Sequence, residues 1–449
     1  MQEIFQNQKS ILITGTNGKS TVAYILKEIF LKAEINVISN LQREHTKEFR
    51  ANEFLEDRLV AYKSKKQTIL ILEIDEADFQ YFAEKIQPDF IIVTNFSRNQ
   101  MERYGELYTL RKNIDRGLEL SPKSKIILCA DDPLVAALAE NRKSDCYYYG
   151  MDNFPARDSS PEIFRSTPRR ANLPRHDLED YTYGLFYREA PHCSFCGTEL
   201  EYQGLAYANY GSYYCPNCQF RRPNLDLGVT ALERDMNGVD YVFQNWLADR
   251  ASRRRNHNSI KFNFKIPGLF NGYNAGAATL CALLFNLSLT DIITTLEQIL
   301  PENGRFELLP HLPSERPICL VTASNPEAVN CALHEIMHFE DFAGLMISND
   351  SIAGFQQDVS WLWDIFFEQM PYAGIVGVGG DYAYDLALRL FYSGVEKERM
   401  IIEQDHKKLQ SKMAMTIDRP GRFYWLANKP ARYSIRKLFV RDLTIEEAK

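Results

Sequence analysis

The stretch Ile11–Ser20, which reads ILITGTNGKS, determines the fold. Its three apolar β-formers, Ile11–Ile13, come directly before a glycine-rich turn, and a helix-period stretch runs from Thr21 to Lys32. A strand, a glycine-rich turn and a helix in this order place backbone N–H groups at a helix N-terminus, where they surround phosphate. The sequence therefore predicts a nucleotide-binding α/β domain whose phosphate loop is Gly15–Ser20.

The loop residues have separate predicted roles. Lys19 is expected to add positive charge at the β- and γ-phosphates, and the Ser20 hydroxyl is expected to hold Mg²⁺. The backbone of the preceding residues is expected to surround the phosphates: Gly15, Thr16, Asn17 and Gly18. The common motif has a further glycine at the position of Ile13, so the loop is a shortened variant. A turn without function is the alternative, and the strand-loop-helix context argues against it.

Further strand signals follow the loop, with helical stretches between them: Gln67–Ile74, Phe90–Thr94 and Lys125–Cys129. Such alternation predicts a parallel α/β sheet covered by helices on both faces. Glu73 lies at the carboxyl end of the first of these strands, where ligands gather in an open α/β sheet. A carboxylate there suits Mg²⁺, so Glu73 is a predicted ligand. Asp75 and Glu76 are either further ligands or ordinary solvated charges.

The chain is too long for one hydrophobic core. It has 449 residues, and a single core stops growing at about 250–300 residues. Before Pro301, further strand signals lie around Val229, Tyr241–Phe243 and Ile260–Ile266, and a helix is expected from near Asn274 to near Leu287. A new α/β alternation begins after Pro301, with the strand signals Ile318–Thr322, Leu345–Ser348 and Gly374–Val378. We expect an ATP-binding domain in residues 1–302 and a C-terminal α/β domain in residues 303–449.

Four of the nine cysteines form two C-x-x-C pairs, Cys193/Cys196 and Cys215/Cys218. Their separation falls within the C-x2-C-x15–20-C-x2-C pattern of zinc sites. Four thiolates leave no open coordination position, so the prediction is a structural Zn²⁺ ribbon inserted at about 188–225. A redox role is the alternative, and two matched pairs argue against it. The other cysteines are expected in the core.

Composition and charge narrow the class of protein. Hydrophobic residues make up 45% and charged residues 25%, and the net charge is -7. That balance does not favour a general nucleic-acid binder, which neutralises phosphates with Lys and Arg. The basic run at 250–255 is either a solvated loop or a contact for an anionic partner. With no apolar run of about 20 residues and no hydrophobic signal core, we expect a cytoplasmic protein.

Together these segments resemble the Mur ligase family of ATP-dependent, amide-forming enzymes. Besides the phosphate loop, the resemblance is carried by Leu72–Glu73, Thr94–Asn95, Ala130–Pro133, Gly268–Asn274 and Gly304–Glu307. Within the family the chain is most similar to the MurT group. That closer likeness is carried by the four-cysteine insert and by Leu72–Ala77, Arg98–Glu106, Ser324–Pro326 and Asp358–Asp364.

The resemblance implies a synthetase subunit that forms a heterodimer with a glutaminase of the GatD type. MgATP would phosphorylate the α-carboxyl of D-glutamate in lipid II, and ammonia from the partner would displace the acyl phosphate to give D-isoglutamine. This is a step of peptidoglycan synthesis. The lipid-linked substrate would bring the chain to the inner face of the membrane.

The resemblance also implies roles for single residues. Asn271 and Asn274 would contact the nucleotide, and Arg305 would contact its phosphates. Asp358 would complete the partner's Cys-His site, with Asp364 as the alternative. An aspartate that orients an imidazole is a familiar part of such triads.

Several positions depart from the family pattern. The segment Asn40–His45 stands in place of Ser-Gly-Ala-Asn, and Asn99 stands in place of a carboxylate. Ser324 stands in place of a lysine, and Asp381 stands where an arginine is expected. Two further functions therefore stay open. One is a diverged ligase that joins another acid and amine. The other is a non-catalytic, nucleotide-binding regulator.

Overall fold

The computed structural model describes residues 9–41, 68–97, 107–140, 142, 145–152, 191–207, 210–247, 258–301, 304–310, 316–351, 359–368 and 374–439. Several sequence predictions lie outside these residues: the basic run at 250–255, the segment 98–106 with Asn99, most of Asn40–His45, and Asp358.

The strands of the first part of the chain are β1 (Lys9–Thr14), β2 (Asn36–Ser39), β3 (Thr68–Glu73), β4 (Phe90–Val93), β5 (Lys125–Cys129), β6 (Cys146–Met151), β7 (Glu201–Tyr207), β8 (Tyr210–Tyr214), β9 (Leu227–Asp235), β10 (Gly238–Asn245) and β11 (Asn258–Phe264). Its helices are α1 (Lys19–Lys32), α2 (Phe79–Ile86), α3 (Leu107–Glu119), α4 (Pro133–Ala136), α5 (Leu269–Leu284) and α6 (Leu289–Leu296).

The strands of the second part are β12 (Arg305–Leu308), β13 (Ile318–Thr322), β14 (Phe342–Ser348), β15 (Val376–Gly379), β16 (Met400–Ile402) and β17 (Arg422–Ala427). Its helices are α7 (Pro326–His338), α8 (Ala383–Tyr392), α9 (His406–Thr416) and α10 (Lys429–Phe439). Short 3₁₀ turns occur at Ala137–Ala139, Ser360–Asp364 and Lys397–Arg399.

The first sheet has the strand order β11-β10-β9-β6-β5-β4-β1-β3-β2. From β2 to β9 every neighbouring pair is parallel, as the alternation of apolar runs and helices predicts. The inner strands β1, β3, β4 and β5 are buried along nearly their whole length, which is usual when helices cover both faces. Their carboxyl ends therefore meet at one edge.

The edge of this sheet beyond β9 is antiparallel. β10 pairs with β9 and with β11 in antiparallel register. A tight turn at Gly238 makes this possible: φ is 144°, and a Cβ there would lie 2.3 Å from the Phe264 carbonyl oxygen. The sequence signals at these three strands were correct, but their joining to the main sheet was not predicted.

The second sheet, which has the order β12-β13-β17-β14-β15-β16, is parallel except at its β12 edge. Buried side chains form a core on each of its faces. The first sheet has its own extensive core. Within the described residues, no helix is long and apolar enough to cross a membrane.

Candidate functional site

The phosphate loop connects the carboxyl end of β1 to helix α1. Two of its residues have positive φ and no room for a side chain. Gly15 has φ 116°, and a Cβ there would lie 2.3 Å from Thr94 Oγ1. Gly18 has φ 85°, and a Cβ there would lie 2.1 Å from Asn274 Oδ1. Only glycine fits these positions, so the two glycines set the shape of the loop.

Two residues at the end of β4 support the loop from one side. The Thr16 N–H donates to the Asn95 carbonyl oxygen at 3.0 Å, and the Asn17 N–H donates to Asn95 Oδ1 at 2.8 Å. Thr94 Oγ1 donates to the Asn17 carbonyl oxygen at 2.8 Å. Thr94 and Asn95 carried the family resemblance without being predicted as site residues. Their place at the end of a strand next to β1 was the available signal.

Lys19 is buried and surrounded by oxygen atoms. Its Nζ donates to the Gly15 carbonyl oxygen at 2.7 Å and lies 3.4 Å from both Glu76 Oε2 and Asp75 Oδ1. Burial alone would lower the pKa of Lys19, but the carboxylates of Glu76, Asp75 and Glu73 raise it above its usual value. Lys19 is therefore a cation held at the loop, as its predicted role requires.

Glu76 is a residue whose surroundings the sequence did not determine, and it lies 3.4 Å from Lys19 Nζ. It is only 4% exposed, so a solvated charge is the wrong interpretation for this residue. Asp75, by contrast, has a side chain that is 58% exposed. Nothing in the local sequence distinguishes the two, because burial here depends on how distant strands pair.

Ser20 and Glu73 are placed as a pair. Ser20 Oγ donates to Glu73 Oε1 at 2.8 Å. Two adjacent ligands of an octahedral Mg²⁺ are about 2.9 Å apart, so this geometry fits the ion. The Asn40 side chain forms two hydrogen bonds with the Glu73 backbone: Oδ1 accepts from the N–H at 3.0 Å, and Nδ2 donates to the carbonyl oxygen at 2.8 Å. Asn40, which differs from the family pattern, therefore stabilises the end of β3 that carries Glu73.

The two asparagines predicted for the nucleotide lie inside helix α5. This helix begins at Leu269 and ends at Leu284, whereas the sequence signals had suggested a helix near Asn274 to Leu287. Both asparagines are buried, and Asn274 Nδ2 donates to Asn271 Oδ1 at 3.0 Å. Asn274 lies against Gly18, so α5 packs beside the phosphate loop.

Arg305 reaches the first turn of α1 from the start of β12. Its Nε donates to Thr21 Oγ1 at 2.9 Å, and its guanidinium lies over the Tyr24 ring at 5.7 Å. This places a cation one residue beyond Ser20. Its predicted contact with phosphate stays a prediction.

Residues before helix α7 also reach the loop from the C-terminal domain. Asn325 Nδ2 donates to Asn17 Oδ1 at 2.6 Å. Ser324 Oγ instead accepts from the Lys429 N–H at 3.3 Å. Asp381 Oδ2 accepts from the Ser351 hydroxyl at 2.5 Å and from the Ser351 N–H at 2.9 Å, and these two bonds lower the pKa of Asp381. Ser324 and Asp381 both differ from the family pattern, and Ser324 is the one that directly precedes Asn325, the residue in contact with the phosphate loop.

The four predicted zinc ligands lie together. Their Sγ atoms are all within 4.8 Å of one another, with Cys193 and Cys218 at 3.5 Å and Cys196 and Cys215 at 3.4 Å. Sulfur atoms around a tetrahedral Zn²⁺ are about 3.8 Å apart, so the set fits the ion. Hydrogen bonds with Thr198 lower the pKa of the Cys196 thiol to about 5. Among the residues that the structure describes, no other group of three or more His, Cys, Asp or Glu side chains lies close enough to hold a metal.

The cysteine insert folds as two knuckles around the β7–β8 hairpin. The bridges His192–Glu199 and Tyr214–Arg221 close the two knuckles. Leu200, Tyr202 and Tyr213 form a small core with the buried cysteines, and this core packs against Ala136. Of the other cysteines, those at 129, 281, 319 and 331 are buried, as expected, and Cys146 is half-buried.

Asp131 attaches this insert to the first sheet. It is fully buried and accepts from Arg222 Nε at 2.7 Å, the Met151 N–H at 2.7 Å and the Tyr273 hydroxyl at 2.8 Å. Its carbonyl oxygen accepts from the Gly211 N–H of β8. Since Tyr273 belongs to α5, Asp131 connects the insert to the helix that carries Asn271 and Asn274, the two asparagines predicted to contact the nucleotide.

The C-terminal domain exposes a group of large apolar side chains, here called the aromatic patch. It lies on helix α8 and on the neighbouring 3₁₀ turn and consists of Trp363, Tyr384, Leu388, Phe391 and Tyr392. Each is at least 45% exposed. The Trp363 and Tyr392 rings lie 5.6 Å apart. Exposed Asp364 follows Trp363 directly, and this turn begins two residues after Asp358.

Comparisons with known proteins agree with this architecture. The family model of the Mur ligase middle domain matches residues 13–172, and that of the MurT ligase C-terminal region matches residues 322–428. The chain is 28% identical over 414 residues to the lipid II isoglutaminyl synthase (glutamine-hydrolyzing) subunit MurT of Staphylococcus aureus strain COL, which covers 92% of this chain and 82% of that protein.

The same-named subunit of Streptococcus pneumoniae strain ATCC BAA-255 / R6 is 26% identical over 406 residues, or 89% of this chain and 80% of that protein. A pseudomurein peptide ligase type C from Methanothermus fervidus has a similar fold, with a TM-score of 0.65 at 20% identity over 96% of this chain and 79% of that one. With both family models in order and relatives aligned along most of its length, the chain belongs to the Mur ligase family, in its MurT group.

Proposed function

We propose that this chain is the synthetase subunit of a glutamine-dependent enzyme that amidates the α-carboxyl of D-glutamate in lipid II, with MgATP as the energy source. The observation that carries the proposal is the loop itself. Cationic Lys19 lies in the same loop as the Ser20–Glu73 pair, whose oxygen atoms are 2.8 Å apart, and this arrangement supports a role for the loop in binding MgATP for phosphoryl transfer. A regulator that binds MgATP would use the same pair, so turnover is the property that separates the two roles.

The chemistry has two steps. A carboxylate oxygen of the substrate attacks the γ-phosphorus of ATP, the bond to the bridging oxygen breaks, and ADP leaves. Ammonia then attacks the acyl carbon, phosphate leaves, and a proton is lost to give the amide. Ser20 and Glu73 would hold Mg²⁺, which neutralises phosphate charge during the first step.

Lys19 would serve the same step by moving from the carboxylates of Glu76 and Asp75 to the β- and γ-phosphates. Its exchange of one set of anionic oxygens for another keeps the buried ammonium paired throughout. The loop amides and the asparagines of α5 would position the nucleotide. The preorganised charges are then in place before the phosphoryl group moves.

The four-cysteine insert would hold a structural Zn²⁺. An insert of this size has too little apolar core to be stable alone, and a metal supplies the missing free energy. The four thiols already lie within 4.8 Å of one another, which supports this assignment. The expected content is one Zn²⁺ per chain, held in a closed site.

The aromatic patch would be the surface that binds the glutaminase. Apolar patches rimmed by polar residues mark protein–protein interfaces. The patch adjoins the segment that ends in Asp364 and starts at Asp358, the two aspartates implied for the partner's Cys-His site. A partner on this patch would thus bring its own active site to those residues. The lipid of the substrate would bring the complex to the membrane surface.

The test is reconstitution of the complex with a glutaminase of the GatD type, MgATP, glutamine and lipid II, with product analysis by mass spectrometry. The proposal predicts a carboxyl-to-carboxamide mass change that Lys19→Ala abolishes. An Asp358→Ala variant should lose glutamine-driven amidation, while Asp364→Ala should retain it. ATP binding without any change in lipid II would contradict the proposal and favour another acid and amine.

A further inference from the structure

The C-terminal domain contacts the phosphate loop with helix α7. Asn325, which caps this helix, donates from Nδ2 to Asn17 Oδ1 at 2.6 Å. Asn17 Nδ2 in turn donates to Glu327 Oε2, in the first turn of α7, at 3.3 Å. One side chain of the loop is therefore hydrogen-bonded to two residues of the other domain.

Asn17 is also held firmly on its own side. Its N–H donates to Asn95 Oδ1 at 2.8 Å, and its carbonyl oxygen accepts from Thr94 Oγ1 at 2.8 Å and from Asn95 Nδ2 at 2.9 Å. The side chain donates to Ser97 Oγ at 3.0 Å as well. Because the backbone of Asn17 belongs to the phosphate loop, a change in the loop must move the side chain that contacts Asn325.

The other end of α7 is attached more strongly. Glu335 is 3% exposed, pairs with Arg234 Nη1 at 2.8 Å and accepts from the Leu269 N–H at 3.3 Å. Leu269 is the first residue of α5. Breaking a buried ion pair costs more than breaking a neutral hydrogen bond. The Glu335 end is thus the fixed point, and the Asn325 end, about 15 Å away along the helix, is the one that can release.

We propose that Asn325 is a positioning residue that couples the phosphate loop to the C-terminal domain. Its hydrogen bond to Asn17 keeps the loop in the conformation that receives phosphate. A bound phosphate in turn keeps the start of α7 in place, because coupling between two sites is reciprocal. The first statement concerns the chain alone, and the second rests on the proposed use of MgATP.

Asn325 has a simpler role that must be separated from this one. Its Oδ1 accepts from the Ala328 N–H at 2.9 Å and so caps α7. The cap uses the oxygen of the side chain, whereas the contact with Asn17 uses the nitrogen. Serine is an equally good capping residue, but it is shorter and has no second polar atom to reach Asn17. Asn325→Ser therefore keeps the cap and removes the contact with Asn17, which leaves the longer bond from Asn17 Nδ2 to Glu327 Oε2, at 3.3 Å, in place.

The first experiment is hydrogen exchange of the full chain without nucleotide, measured by mass spectrometry. In Asn325→Ser, amides of Gly15–Ser20 should exchange about fivefold faster than in the wild type, the change expected for one ordinary hydrogen bond, while α7 stays protected. Ser288→Ala is the matched control, because it removes the cap of α6, where Ser288 Oγ accepts from the Asp291 N–H. Unchanged exchange of the loop in Asn325→Ser would overturn the proposal.

The second experiment repeats the measurement with MgATP. In the wild type, MgATP should slow exchange in both the loop and the first turn of α7. In Asn325→Ser the Kd should rise about fivefold, and the slowing in α7 should be lost. Equal affinity and equal protection in both proteins would overturn the coupling. A wild type that binds no MgATP would contradict the proposed function instead, and the nucleotide-free comparison would still decide the role of Asn325.

Discussion

Charges at the phosphate loop are arranged before any ligand binds. Lys19 is buried with Glu76 and is within reach of exposed Asp75, while Glu73 faces Ser20. The lysine and Glu73 were predicted because the loop motif and the strand end are local signals. The burial of Glu76 was not, since it depends on packing between distant segments. The sequence therefore predicts that carboxylates lie near the loop, but it does not predict which of them is buried.

Replacing Glu73 should separate metal-dependent from metal-independent binding of nucleotide. Glu73→Gln removes a charged ligand from the Ser20 pair, so the Kd for MgATP should rise at least about tenfold. The Kd for ATP in excess chelator should change little. Isothermal titration with and without Mg²⁺ measures both, and exposed Glu84 offers a control in Glu84→Gln. Equal loss of affinity under both conditions would argue against Glu73 as a metal ligand.

Asp132 should make stability depend on pH. Burial raises its pKa to about 6, against hydrogen bonds from the N–H groups of Phe96, Val135 and Leu134. The folded state therefore holds this proton to a higher pH than the unfolded state does. The free energy of unfolding should fall as pH rises from about 4 to about 6, by roughly 3 kcal/mol from this group.

Denaturant unfolding between pH 4 and 7 measures that slope. Asp132→Asn should flatten it, leaving the part that comes from Asp131, whose pKa burial also raises. The control Glu84→Gln should keep the full slope. An identical pH dependence in the wild type and in Asp132→Asn would show that the Asp132 carboxyl ionises normally.

At the scale of elements, local patterns predicted strands and turns well and predicted sheet edges poorly. β13 was assigned to its final bounds, Ile318–Thr322, because a short apolar run between polar segments is unambiguous. Helix α5 was placed too late because glycines weaken the helix signal. Gly272 is required by packing, since a Cβ there would lie 2.6 Å from the Tyr241 ring. That constraint comes from β10, which the sequence did not assign to the main sheet.

The contacts of Asp131 with the cysteine insert should contribute measurably to the free energy of unfolding. Asp131→Asn leaves Arg222, whose side chain is 17% exposed, without its counter-charge. We expect a loss of about 3 kcal/mol or more in the free energy of unfolding. The matched control is Asp240→Asn, which breaks the exposed pair with Lys261 and should cost less than about 1 kcal/mol. Urea titration compares them, and equal costs would show that the Asp131 contact does not hold the insert.

At the scale of the whole molecule, the two domains meet at the phosphate loop, while the aromatic patch lies on the second domain at α8. The domain order follows from sequence patterns, whereas the patch does not. An aromatic run in a sequence is usually core, yet Trp363 is 52% exposed. Only the packing of α8 beside the 3₁₀ turn shows that these side chains point outward. A proposed partner surface of this kind is visible only in the folded chain.

If the aromatic patch binds the glutaminase, a charged residue introduced into the patch should weaken the complex. Leu388 is 51% exposed in the middle of the patch, so Leu388→Glu should weaken binding of the glutaminase at least about tenfold. Met415, on α9, is 80% exposed, and Met415→Glu should leave binding unchanged. Titration calorimetry with the purified partner measures both. Full affinity of Leu388→Glu, with normal folding, would place the interface elsewhere.

The most direct test of the central claim omits the partner. If this chain carries the synthetase chemistry, a high concentration of ammonium should replace the glutaminase. The chain alone, with MgATP, ammonium and lipid II, should then form the carboxamide and release ADP, and Lys19→Ala should do neither. ADP release without the carboxamide would redirect the search to another acceptor. Absence of both, with the wild-type chain folded and binding MgATP, would contradict the account.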